Sequence, residues 1–357
     1  MIRSTHNVSN SHSKMRRQQD VPILVVSQDY ELFFGRSGSI DKCLIEPCEL
    51  LLDFAEKSGV KITFFVDAGM LCRMEALAAN NASIERDLAR TRRHIATLVA
   101  QGHEIGLHIH PHWEDTRWVD GAWDFQGTRY RLSEFSDADV TDIVRRYAGV
   151  LQNLANGAVR SYRAGGFCIE PFSQIRSELK QQGITIDSSV IPGARLKDAD
   201  KGFDFAGVPD SSWWRFSESP LQPDEAGDFL EIAITPLTLP LFHYWGRAFD
   251  RVLGRRAAGV SGDGVSKAIG RREIARRLAG AGRVSELSID AAKAGQLRSR
   301  RVERQNRDIW QVMGHPKLLG GTSLRALEAF IARRQFRRFE TLSGLASAIG
   351  GGELGEA

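Results

Sequence analysis

The stretch GHEIGLHIHPHW, residues 102–113, holds four of the chain's nine histidines within ten positions. Three of them, His108, His110 and His112, occur at alternate positions. A helix would align His108 with His112, but Pro111 and the β-like approach HEIGLHIH argue for a strand running into a loop. Residues two apart on a strand share a face, so all three imidazoles can point into one cavity. Neutral imidazoles joined by one Asp or Glu make a metal site that leaves positions open for water.

The segments on either side set the fold. VPILVVS, residues 21–27, is a short β-branched run that ends in a polar cluster containing Asp29 and Glu31. DKCLIEPCELLLDFAEKSGV reads as a helix closed by Gly59, and KITFFVDAG as a second strand. SIERDLARTRRHIATLVAQG is an amphipathic helix stopped by Gly102, and the histidine stretch is the third strand. SDADVTDIVRRYAGVLQNLANG is a helix capped by Ser136 or Asp137. VRSYRAGGF is a further strand end, EPFSQIRSELKQQG a helix and ITIDSSV a strand. Strands alternating with helices through short connections predict a parallel α/β architecture. In such folds sites form at the C-terminal ends of strands. Asp29, Glu31, the histidines and Arg163 all fall at such ends.

Past residue 195 the alternation weakens. Residues 196–307 are expected to form an insertion or lid, with FLEIAITPLTLPL as a β-like segment inside it. Residues 250–308 are rich in Gly, Ala and Arg and carry few large apolar side chains. WQVMGHPKLL is one more core strand ending at His315, and SLRALEAFIARRQFRRFETLSGLASAI supplies the final helices. Residues 1–20 are expected to be a disordered leader, 21–349 one domain and 350–357 a disordered tail.

The 357-residue chain is 42% hydrophobic, enough for a sizeable core. No apolar run reaches the ~18 residues of a membrane span, and the polar N-terminal segment lacks the apolar centre of a secretory signal, so a cytoplasmic location is expected. Cys43, Cys48, Cys72 and Cys168 are scattered without a CxxC pair and read as reduced core residues. The net charge is +4. The late arginine clusters lack the interleaved aromatics of a base-stacking platform, so they read as solvated helix faces and no nucleic-acid partner is expected. Trp113, Trp118, Trp123, Trp213 and Trp214 flank the motifs and are expected either to pack or to stack on sugar faces.

In their order along the chain these motifs resemble the polysaccharide deacetylases, or NodB-homology carbohydrate esterases. SQDYE is similar to a variant of the first motif in which one residue separates the two acids. GHEIGLHIHPH closely resembles the second motif, RAGGF the third, GITIDSSV more weakly the fourth and WQVMGHP the fifth. The resemblance spans residues 21–195 and 308–345 and implies a distorted (β/α) barrel. It implies Asp29 as catalytic base, Glu31, His108 and His112 as metal ligands, Arg163 as partner of the catalytic acid, and Asp187 and His315 as further catalytic residues. Asp29 and Glu31 can exchange roles on this reading. His110 matches no family ligand and is left facing substrate or backing the ligands; Phe167 ends the third motif. The implied cofactor is a divalent metal, zinc first, with cobalt, manganese or iron also suited to the ligand set. The implied activity is metal-dependent hydrolysis of an amide in an N-acetylated sugar or polysaccharide precursor. The alternatives are a hydrolase of a small cyclic amide or ureide, and a relative that binds metal or carbohydrate without turnover.

Overall fold

The run ILVVSQDY forms strand β1, Ile23–Tyr30, and all eight of its residues are buried. Burial on both faces marks a parallel strand covered on either side, which its β-branched first half suits. β2 is Ile62–Asp67, β3 Glu104–Ile109, β4 Ser161–Ala164, β5 Ile186–Asp187, β6 Trp213–Phe216, β7 Phe229–Ile232, β8 Ile309–Gly314 and β9 Arg338–Glu340. In this computed structural model the described residues are 22–157, 159–198, 201–245, 259–267 and 270–352. The expected leader, residues 353–357 of the expected tail and most of the GRRAAG cluster lie outside them.

The nine strands form one curled sheet in the order β6-β7-β5-β4-β3-β2-β1-β8, with β9 pairing along the first half of β1. Neighbours are parallel except β6 and β7. The two ends of the sheet approach one another beyond β7. Thr235 N–H donates to the Gln311 carbonyl at 3.3 Å, and Gln311 N–H returns a bond to Thr235 Oγ1 at 2.9 Å. Residues 287–289 run beside β8, with Met313 N–H bonded to Leu287 O at 3.0 Å and Ile289 N–H to Met313 O at 2.9 Å. The result is a distorted (β/α) barrel, as expected.

Helices α1 (Glu46–Ser58), α2 (Ala68–Ala78), α3 (Ala82–Ala100), α4 (Asp137–Leu154) and α5 (Ser173–Gln181) connect the early strands. Local chemistry sets their ends. Gly59 closes α1 with φ 71°, a left-handed conformation open to glycine at little cost. Asn81 caps α3 by accepting the N–H groups of Ser83 and Ile84, and Ser136 caps α4 by accepting that of Asp139. Leu51, Leu71, Ile95, Leu98, Val144 and Leu151 face the core from these helices.

The expectation that 196–307 is an insertion does not hold for the whole of that range. β6 and β7 are strands of the main sheet, and Phe229–Ile232 is wholly buried. Residues 287–289 lie against β8, and Leu287 and Ile289 belong to the core. These strands are short and interrupted by turns, which hides their periodicity. The final segment also differs: β9 separates the helices Ser323–Arg334 and Leu342–Gly350.

All four cysteines are free thiols, with Cys43 and Cys48 buried. Among the described residues no helix is long and apolar enough to cross a membrane.

Candidate metal and acid–base site

Alternation along β1 puts Ser27, Asp29 and Glu31 on one face, and at the rim they meet residues from β3, β4 and β8. The organiser is Arg163 of β4, fully buried beneath the rim. Its Nη1 donates to Asp29 Oδ1 at 2.6 Å, Nε to the Ser188 carbonyl at 2.7 Å, and Nη2 to Ser27 Oγ at 3.1 Å and Ser188 Oγ at 3.0 Å. The Gln311 amide, with its oxygen turned to this group, accepts from Arg163 Nη2 at 2.7 Å and donates to the carbonyls of Ile232 and Ala233. The guanidinium also lies over the Phe65 ring, 4.1 Å from its centroid. Every edge of the cation is satisfied, so burying it is tolerable and Asp29 is fixed in one orientation.

The histidines follow from β3. His108 Nδ1 lies 2.8 Å from the carbonyl oxygen of Arg163. A carbonyl only accepts, so Nδ1 carries the proton and Nε2 turns to the acids. Nε2 stands 3.3 Å from Glu31 Oε2 and 4.0 Å from Asp29 Oδ2. Burial disfavours the imidazolium of His108, but Asp29 and Glu31 outweigh it and raise its pKa. His110 is held neutral, its pKa lowered to about 4 chiefly by burial. Its Nε2 is 2.6 Å from Glu31 Oε2, yet neither atom has a hydrogen-bond partner among the described residues. Burial opposes ionisation of Glu31, and Lys317 with the two imidazoles overcomes it, holding the carboxyl well below its usual range.

Glu31, His108 and His110 thus offer one oxygen and two nitrogens, all within 4.8 Å of one another and all buried. Buried polar atoms this close with no hydrogen bond between them are costly unless a cation joins them. The donor set of two imidazoles and a carboxylate suits a divalent transition metal.

His112 is not in this group, unlike the ligand set that the family resemblance implies. Pro111–Glu114 is a 3-10 turn, which ends the strand alternation after His110. The His112 ring instead packs 4.4 Å from Phe34 and stacks at 6.1 Å on Tyr130. His110 stands where His112 was expected.

His315 reaches the site from the end of β8. Its Nε2 lies 3.7 Å from Asp29 Oδ2 and 3.6 Å from Glu31 Oε1. Its Nδ1 is 3.0 Å from Asp290 Oδ2, and its backbone N–H donates to Asp290 Oδ1 at 2.8 Å. Burial lowers the pKa of this imidazole, but Asp290, Asp29 and Glu31 together lift it to about 9.

Asp187, a further catalytic residue on the family resemblance, does not line the cavity that Asp29, Glu31 and His315 share. It sits inside the barrel and accepts from Ser189 Oγ at 2.7 Å, while Glu231 Oε1 accepts the Val190 N–H at 3.0 Å. The parallel register of β5 and β7 sets these two carboxyls side by side. Burial raises both pKa values, and the neighbouring Asp187 carboxylate raises that of Glu231 further.

Two further residues escaped the sequence reading. Asp290 ends ELSID, a hydrophobic run closed by an acid, the same pattern that marked the other strand ends. Lys317 follows His315 by two positions. It is buried, and its Nζ donates to Glu31 Oε1 at 2.8 Å and to the Leu32 carbonyl at 2.6 Å.

Asp29, Glu31, His108, His110, His315 and Lys317 line one side of a cavity of about 190 Å³, and Phe33, Phe34, Tyr130 and Phe167 form apolar walls. The five flanking tryptophans are not among its lining residues; Trp113 is fully buried and donates to Asp67 Oδ2 at 2.5 Å.

No protein-family model matches the chain, and no curated protein does. Among solved structures the chain is similar to a provisionally assigned polysaccharide deacetylase from Mycobacterium smegmatis, at 14% identity over 94% of this chain and 95% of that one, with TM-score 0.48. It is similar to the Xyl-CE4 domain of a multidomain xylanase from the hindgut metagenome of Trinervitermes trinervoides, at 11% identity over 92% of each chain, TM-score 0.39. It is also similar to a CE4 family pseudoenzyme from Bacillus anthracis, at 11% identity over 90% of this chain and 64% of that one, TM-score 0.39.

Proposed function

We propose that the chain is a metal-dependent hydrolase of a carbon–nitrogen bond, acting on the N-acetyl group of a sugar or polysaccharide precursor. One observation carries this reading. A buried cluster of one carboxylate and two imidazoles lies beside an arginine-held acid and an aspartate-held histidine, and those last two face each other at 3.7 Å.

Glu31, His108 and His110 are the residues that would hold the metal, with zinc the first candidate and cobalt, manganese or iron compatible with the same donors. Such an ion supplies Lewis acidity, acidifying water and polarising the amide carbonyl. Lys317 occupies Oε1 of Glu31, which leaves Oε2 for the cation. The Arg163 carbonyl fixes the His108 tautomer so that Nε2 presents its lone pair.

Asp29 is the base. Oδ1 is committed to Arg163, so Oδ2, nearest His108 and His315, is the oxygen that receives the proton of the attacking water. His315 is the acid. Asp290 and Asp29 favour its protonated form, and Nε2 can deliver that proton to the departing amine. Asp290 holds the ring by Nδ1 and aims Nε2 at the cavity. The products are acetate and a free amino sugar. The walls of Phe33, Phe34, Tyr130 and Phe167 suit the faces of a pyranose ring.

The test is acetate release from a panel of N-acetylated sugars, run beside cyclic amides, with zinc or cobalt added. Acetate from a sugar, lost in Asp29→Asn while metal content is retained, supports the proposal. Turnover of a cyclic amide alone would move the substrate class. Absence of turnover on every amide by metal-loaded protein would refute catalysis.

A further inference from the structure

We infer that the substrate carries a negatively charged group beside the acetamido sugar and that a second cavity binds it. This rests on the reading above and names the substrate class for the same site. A cavity of about 210 Å³ adjoins the first, and the two share Gly166, Phe167 and Lys201 in their linings. Its lining includes apolar residues together with Arg195, Lys201, Arg277, Lys293 and Glu286; Arg195 is paired with Asp204 and Arg277 with Glu273. Glu286 is paired with Lys293. Lys267 joins Lys201 at the junction, both ammonium groups lying 5.5 Å from the Tyr130 ring in the first cavity.

The two arginines show what the second cavity takes. Arg195 contacts Asp204 through Nε at 2.7 Å, and Arg277 contacts Glu273 through Nε at 2.9 Å. The terminal nitrogens of both guanidinium groups have no hydrogen-bond partner among the described residues. Those nitrogens are the edge that binds a planar carboxylate or a phosphate in two-point fashion. Acetamido sugar in the first cavity and a carboxylate or phosphate in the second, on either side of Phe167, would use both.

The experiment compares three probes on metal-loaded protein: an N-acetylglucosamine disaccharide, the same sugar linked to glucuronate, and N-acetylglucosamine 1-phosphate. Binding is measured by calorimetry at low and high salt and acetate release alongside it. The anionic probes should bind about tenfold tighter than the neutral one, with the advantage shrinking as salt rises. Arg277→Gln, and separately the exposed Arg195→Gln, should remove most of that advantage; unchanged thermal melting shows that the variants fold. Preference for the glucuronate or the phosphate probe identifies the anion. Equal binding of charged and neutral probes overturns the inference, as does an advantage that survives both substitutions. Acetate release from all three probes without preference leaves the deacetylase reading standing and refutes this one. Anion preference without acetate release does the reverse.

Discussion

Asp290→Asn isolates the acid–base half of the site from the metal half. His315 has an ordinary value of 6.5 and is raised to about 9, which corresponds to about 3 kcal/mol in favour of the protonated ring. A carboxylate at hydrogen-bond distance supplies ~1–2 pH units of such a rise. Asn can still accept the His315 backbone N–H, but it cannot offer a charged acceptor to Nδ1. The alkaline limb of kcat/KM should therefore fall by ~1–2 pH units, and activity at pH 8 by roughly two- to tenfold. A cation on Glu31 repels the imidazolium and lowers the limb in both proteins, so the difference between them is the quantity to read. Stability of the metal-free protein follows the same group. Its folded pKa lies above the unfolded value, so its contribution is fully present below about 6.5 and is lost as pH rises through about 9. The variant should be least stable relative to wild type at pH 6–7, and the gap should narrow towards pH 9. Paired pH–rate profiles, urea titrations and an NMR titration of the His315 ring supply the measurements. Coincident alkaline limbs, or a His315 titration unmoved by the substitution, would refute the assignment of Asp290 and with it the acid role of His315.

Other perturbations separate the remaining roles. His110→Ala should abolish stoichiometric metal binding in a metal-content assay, whereas His112→Ala should retain it; the reverse pattern restores the ligand set first implied by the sequence. Lys317→Met leaves Glu31 buried without its cation and should cost about 3–5 kcal/mol in the metal-free protein by urea titration, with added zinc restoring part of the loss; a stability equal to wild type without metal would show the pair to be dispensable. Glu231→Gln removes one of two neighbouring buried carboxyls whose pKa values are both raised. Both wild-type pKa values lie above their unfolded values, so the pair's protonated form favours folding and that advantage fades as pH rises. The stability of Glu231→Gln relative to wild type should therefore increase with pH, and a constant difference would contradict the raised pKa values.

Much of the barrel was legible because its first half obeys simple periodicities. VPILVVS, KITFFVDAG and HEIGLHIH are each followed by a helix with a recognisable cap or stop. The convergence of Asp29, Glu31, His108, Arg163 and His315 at one rim follows from their placement at strand ends. What failed to read did so for local reasons. The turn begun at Pro111 ends the alternation one residue beyond His110, so the i, i+4 pair His108 and His112 is divided by a backbone bend that spacing does not reveal. Asp187 carries the strand-end signature, but a two-residue strand next to β7 sends its carboxyl to Glu231. Asp290 lies in a stretch with no strand of its own in the main sheet, and only the pairing of residues 287–289 with β8 brings it under His315. Lys317 could be found only once Glu31 had been placed, since a lysine in a 3-10 turn otherwise reads as solvated.

The most direct measurement is an anomalous-difference map from crystals of the zinc- or cobalt-loaded protein. A single peak about 2.0–2.2 Å from Glu31 Oε2 and the Nε2 atoms of His108 and His110, with Asp29 and His315 outside the coordination sphere, is the expected result. A peak bound through His112, or protein that takes up no metal at these residues, would contradict it.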